Sequence, residues 1–243
     1  MSNLYGYTDY HGPQIACDQE NKEAAADADV IKNGEMNTYE EDDDDDPLRA
    51  GLWMEGDSLA PPCGSSIPLI HSLLAFASVS SKDVLYDFGC GDGRICLEAL
   101  VKSNCRQCVG VEVEDDLVAK GNELIYKLPN NYKLTSDGKP RVQLVQADLR
   151  EVIRGLLVAQ NSKAKSTDKT ASFRDLPMPT IIVLYLLPEA IAELEKDFIA
   201  LLQYSRIVCN TWGLTSVKHS KKIVVPAEGG GSTTLFLYSQ ETD

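Results

Sequence analysis

Three alternating glycines and a nearby acid form the stretch with the clearest chemical potential. The glycines are Gly89, Gly91 and Gly93. They follow the apolar run Val84–Phe88, and Asp87 stands two residues before the first of them. Glycine adopts backbone conformations closed to other residues and lets a ligand approach the main chain closely. We therefore expect a ligand-binding turn between a strand and a helix, with a carboxylate beside it.

The spacing of the glycines argues against two other nucleotide-binding loops. The dinucleotide fingerprint is G-x-G-x-x-G, whereas this turn is G-x-G-x-G. A phosphate-binding P-loop needs G-x-x-x-x-G-K-[ST], which the turn does not contain. The turn therefore favours a different cofactor.

The string D-F-G-C-G-D-G-R-I, which begins at Asp87, resembles the first motif of class I S-adenosylmethionine (SAM) methyltransferases. More specifically, it is similar to the small protein-lysine methyltransferase family that includes the mitochondrial enzymes modifying ATP synthase subunit c and the adenine nucleotide translocase. The resemblance implies SAM as the cofactor, with the turn under its methionine part. The implied cofactor-binding residues of the turn are Asp87, Gly89, Cys90, Gly91, Asp92 and Gly93.

Two further acids follow later predicted strands. Glu112 ends the run Cys108–Glu112, 19 residues after Gly93. An acid about 20 residues after the glycine turn binds ribose hydroxyls in such folds, and a carboxylate can accept two of them. Asp148 follows the run Val142–Gln146. The resemblance implies that Asp148 accepts from the adenine amino group and that the backbone N–H of Leu149 lies near the ring; Asp148 is also a good N-cap for the next helix.

The residues that contact the methyl acceptor are predicted at the end of the most apolar run, Thr180–Leu187, which continues into Pro188 and Glu189. The string V-L-Y-L-L-P-E again resembles the lysine methyltransferase family, whereas the [DN]-P-P-[YF] of adenine- and glutamine-methylating enzymes is absent. Tyr185 and Glu189 are the catalytic candidates for accepting a proton from a lysine. Each also has a structural interpretation, as a packed aromatic and as a first-turn acid favoured by the helix dipole. The substrate-binding candidates are Pro62, Ser65, Pro188 and Trp212.

Strands and helices alternate after residue 60, which predicts an α/β fold with a mostly parallel sheet covered on both faces. With the resemblance, the expected architecture is the seven-stranded, Rossmann-like class I methyltransferase sheet with a C-terminal antiparallel hairpin. The predicted helices are one through Ile70–Ala77, capped by Ser65 or Ser66, and then Arg94–Val101, Leu117–Leu128 and Glu189–Leu202. The predicted strands are Val84–Phe88, Cys108–Glu112, Val142–Gln146, Thr180–Leu187 and Ile207–Asn210, with Lys222–Val225 and Thr233–Tyr238 as the hairpin.

The charge is concentrated near the N-terminus. The net charge is −14, and residues 1–60 hold 16 acidic side chains against three basic ones. A block such as Glu40–Asp46 repels itself and buries little apolar surface. We expect residues 1–52 to be an acidic, disordered tail, either a solubilising leader or a contact for a basic partner, and residues 53–243 to be the methyltransferase domain. The remaining domain is nearly neutral.

Targeting and redox signals are few. No apolar run of 18 residues exists, and neither a secretory signal nor an Arg-rich presequence is evident. Seven cysteines without such a signal predict reduced thiols in the cytosol or nucleus, with the cytoplasm preferred and mitochondria not excluded. Cys105 and Cys108 form a CxxC; half a zinc site and a redox pair are alternatives, but ordinary core cysteines are favoured, and no metal site is predicted.

The sequence thus predicts a SAM-dependent methyltransferase acting on a protein lysine. Alternatives are an RNA or small-molecule acceptor, or a non-catalytic SAM-binding partner. A nearly neutral domain disfavours a nucleic-acid partner, because the phosphate backbone rewards basic patches. The oligomeric state is not predicted.

Overall fold

The computed structural model of the protein describes residue 59 and residues 64–160, 173, 175–227 and 231–240. The predicted acidic tail, Pro62 and residues 161–172 lie outside the described residues. The division at residue 53 therefore stays a prediction.

Seven strands form one sheet. In chain order they are β1 (Val84–Phe88), β2 (Gln107–Glu112), β3 (Val142–Gln146), β4 (Ile181–Leu184), β5 (Arg206–Asn210), β6 (Lys221–Pro226) and β7 (Ser232–Tyr238). Their spatial order is β3-β2-β1-β4-β5-β7-β6. Strands β1 to β5 pair in parallel, and β7 lies antiparallel between β5 and β6. The predicted Rossmann-like sheet with its antiparallel hairpin is confirmed.

Five α-helices among the described residues cover the sheet. They are α1 (Ile67–Phe76), α2 (Arg94–Ser103), α3 (Asp115–Tyr126), α4 (Leu149–Gln160) and α5 (Pro188–Leu201). The predicted capping of α1 is confirmed at Ser66, whose hydroxyl accepts from the N–H of Leu69, with Pro68 in the first turn. None of the helices within the described ranges has the length and apolarity needed to cross a bilayer.

The sheet separates two apolar cores, because successive strand residues point to opposite faces. Leu85 packs with α1, α2 and α3 on one face. Tyr86 and Phe88 pack with α4 and α5 on the other, where Phe88 stacks on Phe198 with ring centroids 6.4 Å apart. Asp87 lies between Tyr86 and Phe88 in β1 and shares the face of Leu85. A carboxylate is therefore placed on an otherwise apolar strand.

Several element boundaries differ from the prediction, including those of β4 and α3. Strand β4 ends at Leu184 rather than Leu187, because Leu184 pairs with the last residue of β1, Phe88, and Leu187 takes the extended N-cap conformation before α5. Helix α3 begins at Asp115, with Glu114 as its N-cap. Because β4 ends at Leu184, Tyr185 lies one residue beyond that strand.

The CxxC cysteines lie in the interior. Cys105 and Cys108 are buried and carry free thiols. The Cys105 thiol donates to the main-chain oxygen of Asp83 at 3.1 Å. The described part of the chain contains no group of three or more acidic, histidine or cysteine side chains placed to hold a metal ion. The described geometry is consistent with the favoured interpretation of these thiols as core residues.

Candidate functional site

The strand order reverses beside β1. The chain runs from β1 outward to β2 and β3, then returns to place β4 on the other side of β1. Ligands in open α/β sheets bind in the crevice that such a reversal opens at the carboxyl ends of the strands. We call this end of strands β1 to β5 the carboxyl edge. A ligand is therefore expected to contact residues that follow these five strands.

The glycine turn is fastened to β2 and open to solvent at its centre. The N–H groups of Gly89 and Cys90 donate to the carbonyl of Val111 at 2.9 and 3.0 Å. Gly91 has a φ of +55°, and a Cβ added there would meet nothing within 4 Å. At Gly110 in β2, by contrast, a Cβ would lie 2.6 Å from the Cys90 sulfur. The turn therefore packs tightly underneath and leaves room above Gly91 for a ligand.

Asp87 is the most unusual group at the edge. The residue is only 2% exposed, and its Oδ2 has no hydrogen-bond partner among the residues that the structure describes. Burial raises the pKa of its carboxyl well above the usual value, and the negative charges of Glu112 and Asp92 raise it further. A buried polar atom without a partner is costly. Asp87 is therefore suited to a cationic or hydrogen-bond-donating ligand group.

Glu112 is held rigidly at the end of β2. Its Oε2 accepts from the N–H of Gly91 at 2.8 Å, and its Oε1 accepts from Val113 and Glu114 at 2.8 and 3.2 Å. An ionised carboxylate offers about four acceptor positions. One position therefore remains, on Oε2, which is sufficient for one ligand hydroxyl rather than two.

Asp92 belongs to an ion-pair network below the turn. Its carboxylate contacts the Arg94 guanidinium at 2.8 Å and the Lys120 ammonium at 3.8 Å. Burial works to raise the pKa of Asp92, but hydrogen bonds from Arg94 and the charges of Arg94 and Lys120 outweigh it and hold that pKa below its usual value. Asp92 thus links the start of α2 to the middle of α3, and its charge is compensated whereas that of Asp87 is not.

Asp148 lies on the same edge, next to Glu112. The N–H of Ala147 donates to the Glu112 carbonyl at 3.0 Å, so the loop after β3 is joined to β2. Asp148 caps α4 through the N–H of Arg150 at 2.8 Å, and its carboxylate pairs with the Arg150 guanidinium at 2.7 Å. Leu149 is buried as the first residue of α4. Asp148 therefore has the predicted capping role, and part of its acceptor capacity is occupied by Arg150.

The predicted acceptor residues follow β4 and β5. Tyr185 and Trp212 are both half-buried and stack with ring centroids 6.2 Å apart and an angle of 21°. Pro188 and Glu189 are exposed in the first turn of α5. The structure thus brings two of these four side chains into direct contact with each other.

The segment before α1 is anchored at two points of the carboxyl edge. The carbonyl of Leu59 accepts from the N–H of Leu187 at 3.0 Å, in the loop between β4 and α5. The carbonyl of Ser65, a buried residue, accepts from Arg94 at 3.4 Å at the start of α2. Residues 59 and 65 therefore lie on either side of the reversal point.

These residues fit the cofactor that the sequence predicts. The partnerless Asp87 oxygen suits the ammonium group of the methionine part of SAM, and the open turn at Gly91 allows close approach of a ligand to the backbone. Glu112 retains an acceptor position for a ribose hydroxyl. Gly91 is hydrogen-bonded to Glu112, and the charge of Glu112 raises the pKa of Asp87, so the three residues form one candidate site.

Arg94 and Arg150 were not among the predicted site residues. Each lies two residues after an acid that precedes a helix, and each folds back onto that acid. The shared spacing, Asp-x-Arg at the start of a helix, is visible in the sequence at both places. Thr211, which has a positive φ of 68° after β5, had no such signal.

One relative resembles most of the chain. It is a protein-lysine N-methyltransferase from Saccharolobus islandicus, which is 42% identical over 174 residues, spanning 70% of this chain and 87% of the relative. No family model matches the chain.

A solved structure shares the fold. An RNA methyltransferase from Salinibacter ruber, in complex with S-adenosyl-L-homocysteine, is 23% identical, covers 74% of this chain and 97% of its own, and superposes with a TM-score of 0.50. TrmN from Thermus thermophilus is 18% identical over 70% of this chain and 47% of its own, with a TM-score of 0.47. At such identities the first of these matches shows the common architecture, because one fold hosts many activities.

Proposed function

This chain belongs to the methyltransferase family of its Saccharolobus islandicus relative, and we propose that it methylates the side-chain amine of lysine residues in a protein substrate. SAM is the methyl donor. The choice of lysine is supported by the name of the 42% identical relative and by the V-L-Y-L-L-P-E string at residues 183–189. The narrower resemblance to the enzymes of ATP synthase subunit c and the adenine nucleotide translocase rests on sequence motifs alone.

The observation that carries the cofactor assignment is the buried, partnerless oxygen of Asp87 beside the open turn at Gly91. When bound, SAM supplies a methyl carbon that is activated by a positively charged sulfur. Asp87 would hold the amino group, Glu112 a ribose hydroxyl, and Asp148 with the N–H of Leu149 the adenine ring. These acids also give the site a negative potential, which favours a cationic ligand.

The acceptor lysine has to lose a proton before it reacts, since its free pKa is about 10.4. A site walled by Tyr185 and Trp212 would lower that pKa by removing water from the ammonium. Tyr185 and Glu189 are the residues that we propose to assist deprotonation, with Ser65, Pro188 and Trp212 shaping the entrance. Pro62, the remaining candidate, lies outside the described residues.

The decisive experiment is tritium transfer from labelled SAM into a cell extract depleted of small molecules. The wild-type protein is compared with Gly91→Arg, which fills the open space above the turn. We expect protease-sensitive label with the wild type, with methyl-lysine identified by mass spectrometry, and at least a tenfold loss with Gly91→Arg, since about 1.4 kcal/mol of lost binding is enough for that factor.

Gly138→Arg is the matched control. Gly138 also has a positive φ, +78°, and free space around an added Cβ, but it lies in the loop before β3, far along the chain from the glycine turn. The two substitutions therefore impose similar backbone strain, and Gly138→Arg should retain activity. Nuclease-sensitive label would favour an RNA acceptor, and SAM binding without any label would favour a small-molecule or non-catalytic role. Activity of Gly91→Arg equal to that of the wild type would refute the placement of the cofactor at Gly91.

A further inference from the structure

The charges of the domain are divided between the two ends of its sheet. Residues 112–116, which include the end of β2 at the carboxyl edge, hold four acidic side chains and no basic one. Residues 126–141, from the end of α3 to the start of β3, hold four basic side chains and one acidic one. We call this opposite end of the parallel strands the amino edge. The nearly neutral charge of the whole domain therefore does not disfavour an anionic partner at the amino edge.

The loop before β3 has a fixed shape. The N–H of Arg141 donates to the carbonyl of Lys133 at 2.9 Å. The N–H of Thr135 donates to the carbonyl of Lys139 at 2.8 Å. Residues 133–141 therefore form a short hairpin at the amino edge.

The Arg141 side chain ties this hairpin to the loop before β2. Its guanidinium donates to the carbonyl of Cys105 at 2.7 Å and to that of Asn131 at 3.2 Å. It also lies 5.8 Å from the centroid of the Tyr132 ring. Arg141 therefore holds two loops together, and Arg106, the residue after Cys105, is brought to the hairpin.

Basic side chains from these two loops share one surface. A hydrogen bond from the Thr135 hydroxyl lowers the pKa of Asp137, and the nearby charges of Lys139 and Arg106 lower it further. The Lys139 ammonium is 3.9 Å from the Asp137 carboxylate, and both side chains are exposed. Such a pair is weak, so Asp137 does not withdraw Lys139 from a ligand. Arg106 is exposed as well.

Tyr126 adds an aromatic ring to this surface. The residue is 80% exposed at the end of α3. The Lys133 ammonium donates to the Tyr126 carbonyl at 2.9 Å and lies 5.1 Å from the centroid of its ring. Lys127, the next residue, is exposed. A ring with this exposure buries little apolar surface, so packing of the fold does not account for its position.

This surface has the composition of a site for single-stranded nucleic acid. We call Arg106, Tyr126, Lys127, Lys133 and Lys139 the amino-edge patch. Sites for single strands combine basic side chains that contact phosphates with aromatic rings on which bases stack. A cation beside the ring adds to the attraction. The patch contains each of these parts.

Two other anionic partners fit the patch less well. An acidic peptide would pair with the basic side chains but has no base to stack on Tyr126. An anionic membrane would gain from apolar side chains that enter it. Leu134, which is 56% exposed, is the one exposed leucine, isoleucine or valine among residues 126–141.

We propose that the amino-edge patch binds single-stranded nucleic acid, with a base stacked on Tyr126 and phosphates at Arg106, Lys127 and Lys139. This binding function goes beyond the proposed methyl transfer and does not depend on it. The candidate cofactor site lies at the other end of β1, a five-residue strand that spans about 15 Å. The bound strand is therefore not the methyl acceptor, and it would hold the protein beside other proteins on the same strand.

The first test is fluorescence anisotropy of labelled oligouridine and oligothymidine of about 15 nucleotides, titrated with the full-length chain. Saturable binding of either strand supports the proposal, and the tighter of the two identifies the preferred sugar. Tyr126→Ala should weaken binding at least fivefold, which corresponds to about 1 kcal/mol of stacking. Tyr126→Phe keeps the ring and should bind as the wild type does. Tyr204→Ala removes an exposed tyrosine after α5 and should change nothing.

The second test is the salt dependence of this binding. Each phosphate neutralised on a single strand contributes about −0.7 to the slope of log K against log salt. Lys127→Gln combined with Lys139→Gln should therefore make the slope less steep by about 1.4. Lys221→Gln combined with Lys222→Gln removes the same charge from exposed lysines of β6, at the opposite side of the sheet from β3, and should leave slope and affinity unchanged.

Three results would overturn the proposal. They are the absence of binding to both strands, equal binding by Tyr126→Ala and the wild type, and equal weakening by the two double variants. Vesicles of phosphatidylcholine with phosphatidylserine, and poly-L-glutamate, are titrated in parallel. Binding of either one in place of the oligonucleotides would assign the patch to a membrane or to an acidic protein.

Folding and methyl transfer are measured separately. Urea unfolding of each variant should match that of the wild type, because the substituted side chains are exposed. A protein that forms methyl-lysine but binds no strand would overturn this inference and leave the proposed function standing. A protein that binds the strand through Tyr126 but forms no methyl-lysine would overturn the proposed function and leave this inference standing.

Discussion

The buried carboxylate of Asp87 is unfavourable for folding and suited to binding a ligand cation. Its oxygen Oδ2 is buried without a hydrogen-bond partner in the described part of the chain, and two neighbouring acids oppose its ionisation. A group of this kind destabilises the fold at neutral pH, yet a ligand ammonium placed beside it would gain a strong charge-assisted hydrogen bond. Burial of Asp87 therefore opposes folding, and a bound ligand cation would offset that effect.

Asp87→Asn should separate these effects. In the cofactor-free protein we expect the variant to be about 1 to 2 kcal/mol more stable at pH 7.5, because the buried charge is gone. Because the pKa of Asp87 is raised in the folded state, stability of the wild type should fall as pH rises through that raised pKa, and this slope should be absent in the variant. SAM affinity should fall at least tenfold, as expected for a lost charged hydrogen bond. Urea titrations over a range of pH measure the stability and its pH dependence, and calorimetry measures the SAM affinity.

Asp92→Asn is the control, and its expected effect on stability is opposite to that of Asp87→Asn. Asp92 is paired with Arg94 and Lys120, and its pKa is lowered, so removal of its charge should destabilise the protein. If both substitutions destabilise equally, Asp87 is an ordinary structural acid and the cofactor assignment loses its main support.

Among the elements, the amino ends of three strands are tied together by Asp83. This buried residue precedes β1 and accepts from Thr180, which precedes β4, at 2.8 Å. It also pairs with Arg206, the first residue of β5, at 3.1 Å. The strands that carry Asp87, Tyr185 and Trp212 at their carboxyl ends are thus fixed relative to one another at their opposite ends.

Asp83→Asn should therefore affect stability without affecting the site. We expect a loss of about 2 to 3 kcal/mol in urea unfolding, less than the about 3 to 5 kcal/mol of a fully buried ion pair because Arg206 is partly exposed, and a KM for SAM within about twofold of wild type. Burial works to raise the pKa of Asp83, but hydrogen bonds from Arg206, Ser80 and Thr180 hold it below its usual value. Its stabilisation is therefore present above the unfolded pKa of about 3.9 and is lost as pH falls through the lowered folded value.

The exposed Asp137 provides the comparison, because Asp137→Asn removes the same charge from the loop before β3 and should leave stability nearly unchanged. A large rise in KM for Asp83→Asn would show that the two ends of the sheet are coupled.

In the whole molecule, the acidic cluster and the described helices and strands lie in different parts of the chain. Residues 1–60 hold 16 acidic and three basic side chains, whereas, among the described residues, the sheet and both apolar cores are built from residues after 60, with Leu59 packed against the second core. Folding of the described region should therefore not depend on the acidic segment.

A chain that begins at residue 53 tests this division. It should unfold cooperatively with a Tm within about 2 °C of the full chain, a shift equivalent to less than about 1 kcal/mol for a domain of this size. Its methylation of a basic protein should become less sensitive to salt if the acidic segment attracts basic partners, and should be unchanged if that segment only aids solubility. A fall in Tm of about 8 °C or more would place part of residues 1–52 within the fold.

The sequence by itself determined the features that depend on neighbouring residues. The alternation of apolar runs defined all seven strands, and Ser66 capped α1 as its residue type predicts. The glycine turn was identifiable because its conformation is set by three residues with positive φ within five positions: Gly89, Gly91 and Gly93. Backbone freedom, side-chain period and capping act over a few residues, so a single stretch of sequence records them.

Only the tertiary structure decided what depends on contacts between distant residues. The end of β4 was set by its partner β1 rather than by its own apolar run. The bond from Gly91 to Glu112 joins residues 21 positions apart, and with the bonds from Val113 and Glu114 it leaves one acceptor position on that carboxylate. The partnerless oxygen of Asp87 and the stacking of Tyr185 on Trp212 likewise arise from chain segments that meet at the carboxyl edge. Burial and pairing are properties of that meeting, and no local pattern encodes them.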